Sequence, residues 1–244
     1  MKRAIVPILL VALAAGCERA PEDRPATALE FPVPDRPVSG LGSNQFSTET
    51  ERDNRGEAET VMDLAEIESG MNVADIGAGN GYYTVRLAER VGAGGRVLAQ
   101  DIDRDALARL GDRVVRERLD NVSIKPGAPD DPRLPSESFD RILMVHMYHE
   151  VAEPYALLWR LWPALKADGQ VVVVDVDRPT DRHGIDPLLL SCEFQRVGFE
   201  LVAFKDAPEL AGYYAQFKRA AKRPQPSDIE PCRYTPGTTG DADD

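Results

Sequence analysis

The chain has 244 residues, of which 43% are hydrophobic, and this suits one α/β domain with extensions at its ends. Its 41 acidic residues outnumber the 29 lysines and arginines, which gives a formal charge of -12 at pH 7. Because an acidic surface repels phosphate backbones, nucleic acid is not expected to be the partner.

The N-terminus has the pattern of an export signal. Lys2 and Arg3 precede an apolar stretch, residues 4–15, that is too short to span a bilayer. The ending "LAAGC" resembles the lipobox of bacterial lipoproteins, so residues 1–17 are predicted to be a lipoprotein signal with a lipidated Cys17. Glu18 then implies an outer-membrane anchor facing the periplasm. The alternative is a plain signal peptide cut nearby, with Cys17 incidental.

Both flanks of the predicted domain are polar and rich in proline. Residues 18–45 are predicted to be a flexible linker, and residues 223–244 a disordered acidic tail. Two further cysteines, Cys192 and Cys232, can form a disulfide in an oxidising compartment. Alternatively, Cys192 is a small buried residue of a helix and Cys232 is a free thiol in the tail.

Between the flanks, helical and strand patterns alternate. The sequence predicts helices over 57–67, 81–91, 103–119, 154–166 and 187–198, and strands over 72–76, 96–102, 122–127, 139–146, 169–177 and 199–205. The run of four valines, 171–174, is typical of a strand that is buried on both faces. This alternation predicts a mostly parallel sheet with right-handed crossovers.

A glycine-rich loop follows the first predicted strand in "VADIGAGNGYYT", residues 73–84. Glycines let the backbone approach a ligand, and the following helix offers free N–H groups. A P-loop is excluded because Tyr82 and Tyr83 stand where it needs Lys and Ser or Thr. A dinucleotide loop is disfavoured because Tyr82 fills a position that it needs small. An acid before the glycines, Asp75, suits a cationic, phosphate-free ligand better.

The segment "VADIGAGNGYYTVRLA" resembles motif I of the class I S-adenosylmethionine-dependent methyltransferases, [DE]-x-G-x-G-x-G. "GAPDDPRLPSESFDRIL" (127–143) and "ALLWRLWPALKADGQVVVVD" (156–175) are similar to later segments of that family, although Ala128 replaces the usual acid. The resemblance implies a doubly wound, mostly parallel seven-stranded sheet with helices on both faces, over residues 46–222. It also implies S-adenosyl-L-methionine as the cofactor.

The resemblance carries a set of cofactor-binding residues onto this chain. Asp101, at the end of the second strand, would accept hydrogen bonds from both ribose hydroxyls. Asp75 would orient the ammonium, directly or through water, and Asp130 or Asp131 would replace the missing acid near adenine. The predicted set is Asp75, Gly77, Ala78, Gly79, Asn80, Gly81, Asp101, Ile102 and Asp130. "ERD" (51–53) resembles a subgroup segment that would close over the cofactor, with a helix cap and surface ion pairs as the alternative.

The only three histidines are predicted to lie at the ligand-binding rim. His146 and His149 follow the fourth strand, and His183 follows the fifth. Each is a candidate general base if the methyl acceptor must lose a proton. A metal site with Glu150 is the alternative, but two histidines three residues apart without a third ligand are a weak indication, so no metal is predicted.

The export signal and the family resemblance together imply an exported, lipid-anchored methyltransferase that uses S-adenosylmethionine on a small-molecule acceptor. The alternative is an exported non-catalytic protein that binds a nucleoside or an S-adenosyl ligand. A dinucleotide oxidoreductase is the weaker third hypothesis. The sequence predicts neither the acceptor nor the oligomeric state.

Overall fold

The computed structural model describes residues 24–41 and 48–233. The predicted signal and Cys17 lie outside these residues. The helices are α1 (Glu49–Asn54), α2 (Glu57–Leu64), α3 (Tyr82–Val91), α4 (Arg104–Glu117), α5 (Pro154–Leu161) and α6 (Pro187–Arg196). The strands are β1 (Asn72–Ile76), β2 (Arg96–Asp101), β3 (Val122–Pro126), β4 (Phe139–Val145), β5 (Leu165–Asp175), β6 (Phe199–Ala207) and β7 (Gly212–Arg219). Within these ranges, no helix is both long and apolar enough to cross a membrane.

The seven strands form one sheet in the order β3-β2-β1-β4-β5-β7-β6. The first five strands are parallel, and β7 runs antiparallel to both β5 and β6. The strand order reverses between β1 and β4, so a crevice opens at their carboxyl ends. The predicted fold class is confirmed.

The hydrophobic core lies on both faces of the sheet. Residues 171–174 of β5 are fully buried, and their side chains alternate between the two sides. One side packs against α5 and α6, and the other against α2 and α3. Burial on both faces accounts for the continuous apolar run in this central strand.

The N-terminal strap, residues 24–41, packs against the domain. Arg24 makes two hydrogen bonds to the buried Glu153, at 2.8 and 2.7 Å. Arg36 is buried, and its Nε donates to Glu193 Oε1 at 2.8 Å. The prediction of a flexible linker is wrong for these residues, because each arginine neutralises a carboxylate that would otherwise be buried alone.

The first part of the predicted tail is also ordered. A disulfide joins Cys192 of α6 to Cys232. The guanidinium of Arg223 stacks on the ring of Trp159, 3.6 Å from its centroid, and Ile229 is buried. The prediction of a disordered tail is therefore wrong for residues 223–233, which the disulfide and these contacts hold against α5 and α6.

Candidate active site

A cleft of about 2150 Å³ opens at the carboxyl ends of β1, β2 and β4. Its sheet side carries six of the predicted residues: Gly77, Gly79, Asn80, Asp101, Ile102 and His146. The strap supplies residues 33–41 to the opposite wall, and the tail supplies residues 230–233 beside Cys192. Two segments that lie outside the regular alternation of strands and helices thus contribute to the wall of the cleft.

The glycine loop turns tightly between β1 and α3. The amides of Gly77 and Ala78 both donate to the Gln100 carbonyl, at 2.9 and 3.0 Å. Gly77 and Gly79 have φ angles of 71° and 54°, a region that L residues rarely adopt. A Cβ on Gly77 would lie 2.9 Å from Met147 Cγ, whereas one on Gly79 would meet nothing within 4 Å. The backbone at Gly79 is therefore open to a ligand in the cleft.

Asp101 links this loop to the end of β2. Its Oδ2 accepts from the Gly79 amide at 2.8 Å, and its Oδ1 accepts from the Asp103 amide at 2.9 Å. A carboxylate has about four acceptor positions. Two are therefore used to fix the side chain, and the others remain for a ligand in the cleft that Asp101 lines.

Asp75 lies beneath the loop rather than in the cleft. It is 4% exposed, and its Oδ2 accepts from Thr84 Oγ1 at 2.6 Å. We predicted that Asp75 orients a ligand ammonium directly or through water; this geometry does not support the direct contact, and the contact through water stays a prediction. Burial, and to a smaller extent the charge of Asp101, raises the pKa of Asp75 to about 6, against the favourable hydrogen bond from Thr84.

Asp75→Asn should change the pH dependence of stability. Because the folded pKa lies about two units above the usual value, the native state binds more protons than the unfolded chain. Protonated Asp75 therefore stabilises the fold fully below about pH 4, and this contribution is lost as pH rises through 6. The free energy of unfolding falls by about 3 kcal/mol over this range. Urea unfolding at pH 4, 6 and 8 should show that the free energy of unfolding falls less with rising pH in the variant than in wild type. The exposed Asp168→Asn is the matched control, and parallel profiles for Asp75→Asn and wild type would refute the prediction.

Asp130 does not contact the cleft. Its Oδ2 accepts from Thr27 Oγ1 at 2.6 Å and from Arg160 Nη1 at 2.7 Å. The predicted adenine contact by Asp130 is therefore wrong, because this buried carboxylate holds the strap to α5. Its neighbours Ala128 and Pro129 line the cleft in its place.

Two other predicted loop residues serve the fold. Ala78 is buried and does not line the cleft. Gly81 is the N-cap of α3 with φ 88°, and a Cβ there would collide with the side chain of Leu110. These two positions let the loop pack against α4, whereas Gly77 and Gly79 face the cleft.

His146 is the histidine that lines the cleft. It has φ 53°, and its Nε2 lies 3.7 Å from Glu57 Oε1. Burial, opposed by the charge of Glu57, lowers the pKa of His146 below 6.5. The ring is therefore neutral at pH 7 and can accept a proton.

His149 and His183 lie behind the cleft wall and do not line it. The His149 ring is 1% exposed, and its Nδ1 lies 2.8 Å from Asp175 Oδ1. The rings of His149 and His183 meet edge to face, with centroids 5.6 Å apart. A base acting directly on an acceptor in the cleft is thus supported for His146 and for neither of the other two.

The predicted lid residues form a helix cap and ion pairs. Glu51 completes a capping box with Thr48 at the start of α1. Arg52 stacks on the Tyr82 ring, 3.7 Å from its centroid, and Asp53 binds Arg86. None of residues 51–53 lines the cleft.

Sequence reasoning missed several residues of the cleft. Met147, Glu150 and Arg109 line it, as does most of the strap. Met147 and Glu150 flank the histidines, so their position after β4 was the available signal. No local sequence pattern in the strap indicates that it lines the cleft, because its contacts are with residues far along the chain.

The comparisons with known proteins agree with this geometry. Residues 73–169 match the family described as "Methyltransferase domain". The chain is 29% identical over 62% of its length to a Methylococcus capsulatus protein named ubiquinone/menaquinone biosynthesis C-methyltransferase UbiE, of which 56% is covered. It is 26% identical over 49% of its length to a demethylmenaquinone methyltransferase of Listeria monocytogenes, of which 50% is covered. The chain thus spans about half the length of these relatives.

Solved structures share the fold at low sequence identity. A SAM-dependent methyltransferase from Aquifex aeolicus is similar with a TM-score of 0.60 and 20% identity, over 70% of this chain and 97% of that one. The [4+2]-cyclase SpnF gives a TM-score of 0.61 at 15% identity, over 80% and 92% of the two chains. Because the second is named for a different reaction, the likeness shows the fold alone. The match to the methyltransferase-domain family therefore covers residues 73–169, which include the glycine loop and Asp101, and the fold of the described residues is shared with solved methyltransferases.

Proposed function

We propose that the protein transfers a methyl group from S-adenosylmethionine to a small-molecule acceptor. The observation that carries this proposal is the pairing of Asp101 with the open backbone at Gly79 on one side of the cleft. The two ribose hydroxyls of the cofactor need a fixed carboxylate that accepts from both, which Asp101 provides. The part of the cofactor that packs on the loop needs a position without a side chain, which Gly79 provides. Both are present, so the residues fit the cofactor.

The cofactor supplies an activated methyl group on a sulfonium, whose leaving group is already good. The chain then contributes mainly by holding the two reactants in line. Asp101 would bind the ribose hydroxyls, and Gly77 and Gly79 would let the methionine end approach the backbone. Residues 33–41 of the strap would line the cleft around the bound reactants.

His146 is the proposed general base. His146 would take the proton that the acceptor loses on methylation. The lowered pKa keeps the imidazole neutral at pH 7, and Glu57 would stabilise the cation that results.

The acceptor is proposed to be small and substantially apolar. The cleft near His146 is lined by Val145, Met147, Val151 and Leu157. The relatives named for quinone methylation make benzoquinols and naphthoquinols the first candidates.

We further propose that the protein is exported and anchored by a lipid at Cys17, in the outer membrane facing the periplasm. The disulfide between Cys192 and Cys232 supports an oxidising compartment. The apolar stretch before Cys17 and the lipobox-like "LAAGC" support the anchor.

Calorimetric titration of the purified chain tests the proposed function. We expect one S-adenosylmethionine and one S-adenosylhomocysteine per chain, and no binding of NAD, which is the control for a dinucleotide site. Methyl-labelled S-adenosylmethionine with a demethylated benzoquinol or naphthoquinol should then give labelled product. Binding of NAD alone would overturn the proposal, and binding of S-adenosylmethionine without transfer to any acceptor would indicate a non-catalytic protein.

A further inference from the structure

We propose that His149, Glu150 and His183 form a binding site for a divalent transition-metal ion, with zinc as the best match to the donor set. One ligand atom from each residue lies within 4.8 Å of the others. His149 Nε2 lies 3.9 Å from Glu150 Oε1. Small side-chain rotations would bring these atoms to the roughly 2.0–2.2 Å at which zinc binds nitrogen and oxygen ligands.

The state of His149 points to a ligand. Its Nε2 is buried and has no hydrogen-bond partner among the described residues. A buried polar atom without a partner costs about 1–3 kcal/mol, so it is seldom left without a role. A metal ion at the centre of the cluster would satisfy this nitrogen.

The other side of the His149 ring is already arranged for coordination. Asp175 Oδ1 and Oδ2 lie 2.8 and 3.0 Å from Nδ1, so Nδ1 carries the proton and donates it to the carboxylate. Nε2 is then left with its lone pair directed away from Asp175. Metal-binding histidines usually have such a carboxylate behind them, which fixes the ring and raises its basicity.

The local backbone places the three donors together. His149 and Glu150 lie in the short 3-10 turn after β4, and His183 ends another such turn after β5. Ser39 of the strap ties these turns together, because its amide donates to the His149 carbonyl at 3.4 Å and its hydroxyl accepts from the His183 amide at 3.0 Å. The site is thus built from the turns that follow β4 and β5, and the strap joins these turns.

The donor set decides the class of ion. Two imidazoles and one carboxylate suit zinc and other first-row transition metals, whereas Mg²⁺ and Ca²⁺ prefer oxygen ligands. Three protein ligands leave a fourth position open, as in catalytic zinc sites. Since Glu150 also lines the cleft, the metal site adjoins the cleft in which the methyl acceptor is proposed to bind. We predicted no metal because His146 and His149, three residues apart, had no recognisable third ligand, and His183 lies far from both along the chain.

Zinc binding should be measured on the untagged full chain carrying Cys17→Ser, so that no thiol outside the disulfide competes. After treatment with a chelator, ZnCl₂ should bind one ion per chain, MgCl₂ should not compete, and the melting temperature should rise with zinc concentration. The loss of a residue that only hydrogen-bonds to a metal ligand typically weakens metal binding by roughly 10- to 100-fold. Glu150→Gln and His183→Ala each remove a ligand itself, so each should weaken zinc binding by more than this. Asp175→Asn should weaken it by about 10- to 100-fold.

His146→Gln is the matched control, since it removes the remaining histidine and should leave zinc affinity unchanged. Circular dichroism separates a lost site from a misfolded variant, and His183, which is only half-buried on a loop, is the safest position to change. Failure of the chelated chain to bind zinc, or equal affinity in wild type, Glu150→Gln and His183→Ala, would overturn the proposal. Binding of S-adenosylmethionine is measured separately, so either proposal can fail alone.

Discussion

Asp101→Ala is expected to weaken S-adenosylmethionine binding by about 100-fold or more. Hydrogen bonds to a charged acceptor contribute about 1.5–3 kcal/mol each, and the ribose would lose two of them. The substitution also releases the Gly79 and Asp103 amides that Asp101 holds, so the glycine loop becomes less ordered. Calorimetric titration of wild type and variant measures the difference directly.

Two further variants serve as controls for the effect of Asp101→Ala on cofactor binding. Asp105→Ala removes an exposed acid from the first turn of α4, outside the cleft, and should leave the affinity unchanged. Asp101→Asn keeps the size but loses the charge and one acceptor oxygen, so it should fall between wild type and Asp101→Ala. An unchanged affinity in Asp101→Ala would remove Asp101 from the site, even if the chain still binds the cofactor elsewhere.

The parts of the fold that the sequence predicted are those with local signals. The glycine loop and the four valines of β5 show their roles within a few residues, because turn conformation and two-sided burial restrict residue type locally. Strand β7 was missing from the predicted elements. It carries Gln216 between β5 and β6, and this polar side chain is tolerated because it hydrogen-bonds to Tyr214 and Gln170. No alternation of polar and apolar residues marks such a strand.

The errors at the site come from contacts between distant segments. Asp130 was assigned to the cofactor by its place in a motif, yet it pairs with Arg160 and Thr27. The sequence of the strap predicts a linker because proline and charge are typical of linkers. Its arginines instead pair with Glu153 and Glu193, and a one-dimensional pattern cannot show which partners are buried.

The three histidines illustrate the same limit. All were placed at one rim because strands β4 and β5 end there, and that topology is confirmed. Their roles differ because of side-chain direction: His146 faces the cleft, while His149 turns back towards Asp175. The direction of a side chain at a strand end depends on the local φ and ψ angles, and the residue pattern of this segment does not reveal them.

The disulfide between Cys192 and Cys232 closes a long loop that includes β6 and β7. For a sequence separation of 40 residues, the loss of unfolded-state entropy stabilises the fold by about 4 kcal/mol. Both cysteines line the cleft, and the backbone of Arg233, next to Cys232, forms a β-bridge with Asp35 of the strap. The disulfide therefore also positions the wall opposite the glycine loop.

Cys192→Ala/Cys232→Ala should lower the free energy of unfolding by about 4 kcal/mol in a Cys17→Ser background. Urea unfolding with and without dithiothreitol measures this. Reduced wild type should approach the double variant, whereas the double variant should not respond to the reductant, which makes it the matched control. We also expect weaker S-adenosylmethionine binding, because the tail and strap lose their fixed position against the cleft. Equal stability of oxidised and reduced wild type would show that the tail is held by its packing on Trp159 and Tyr155 alone, without a contribution from the disulfide.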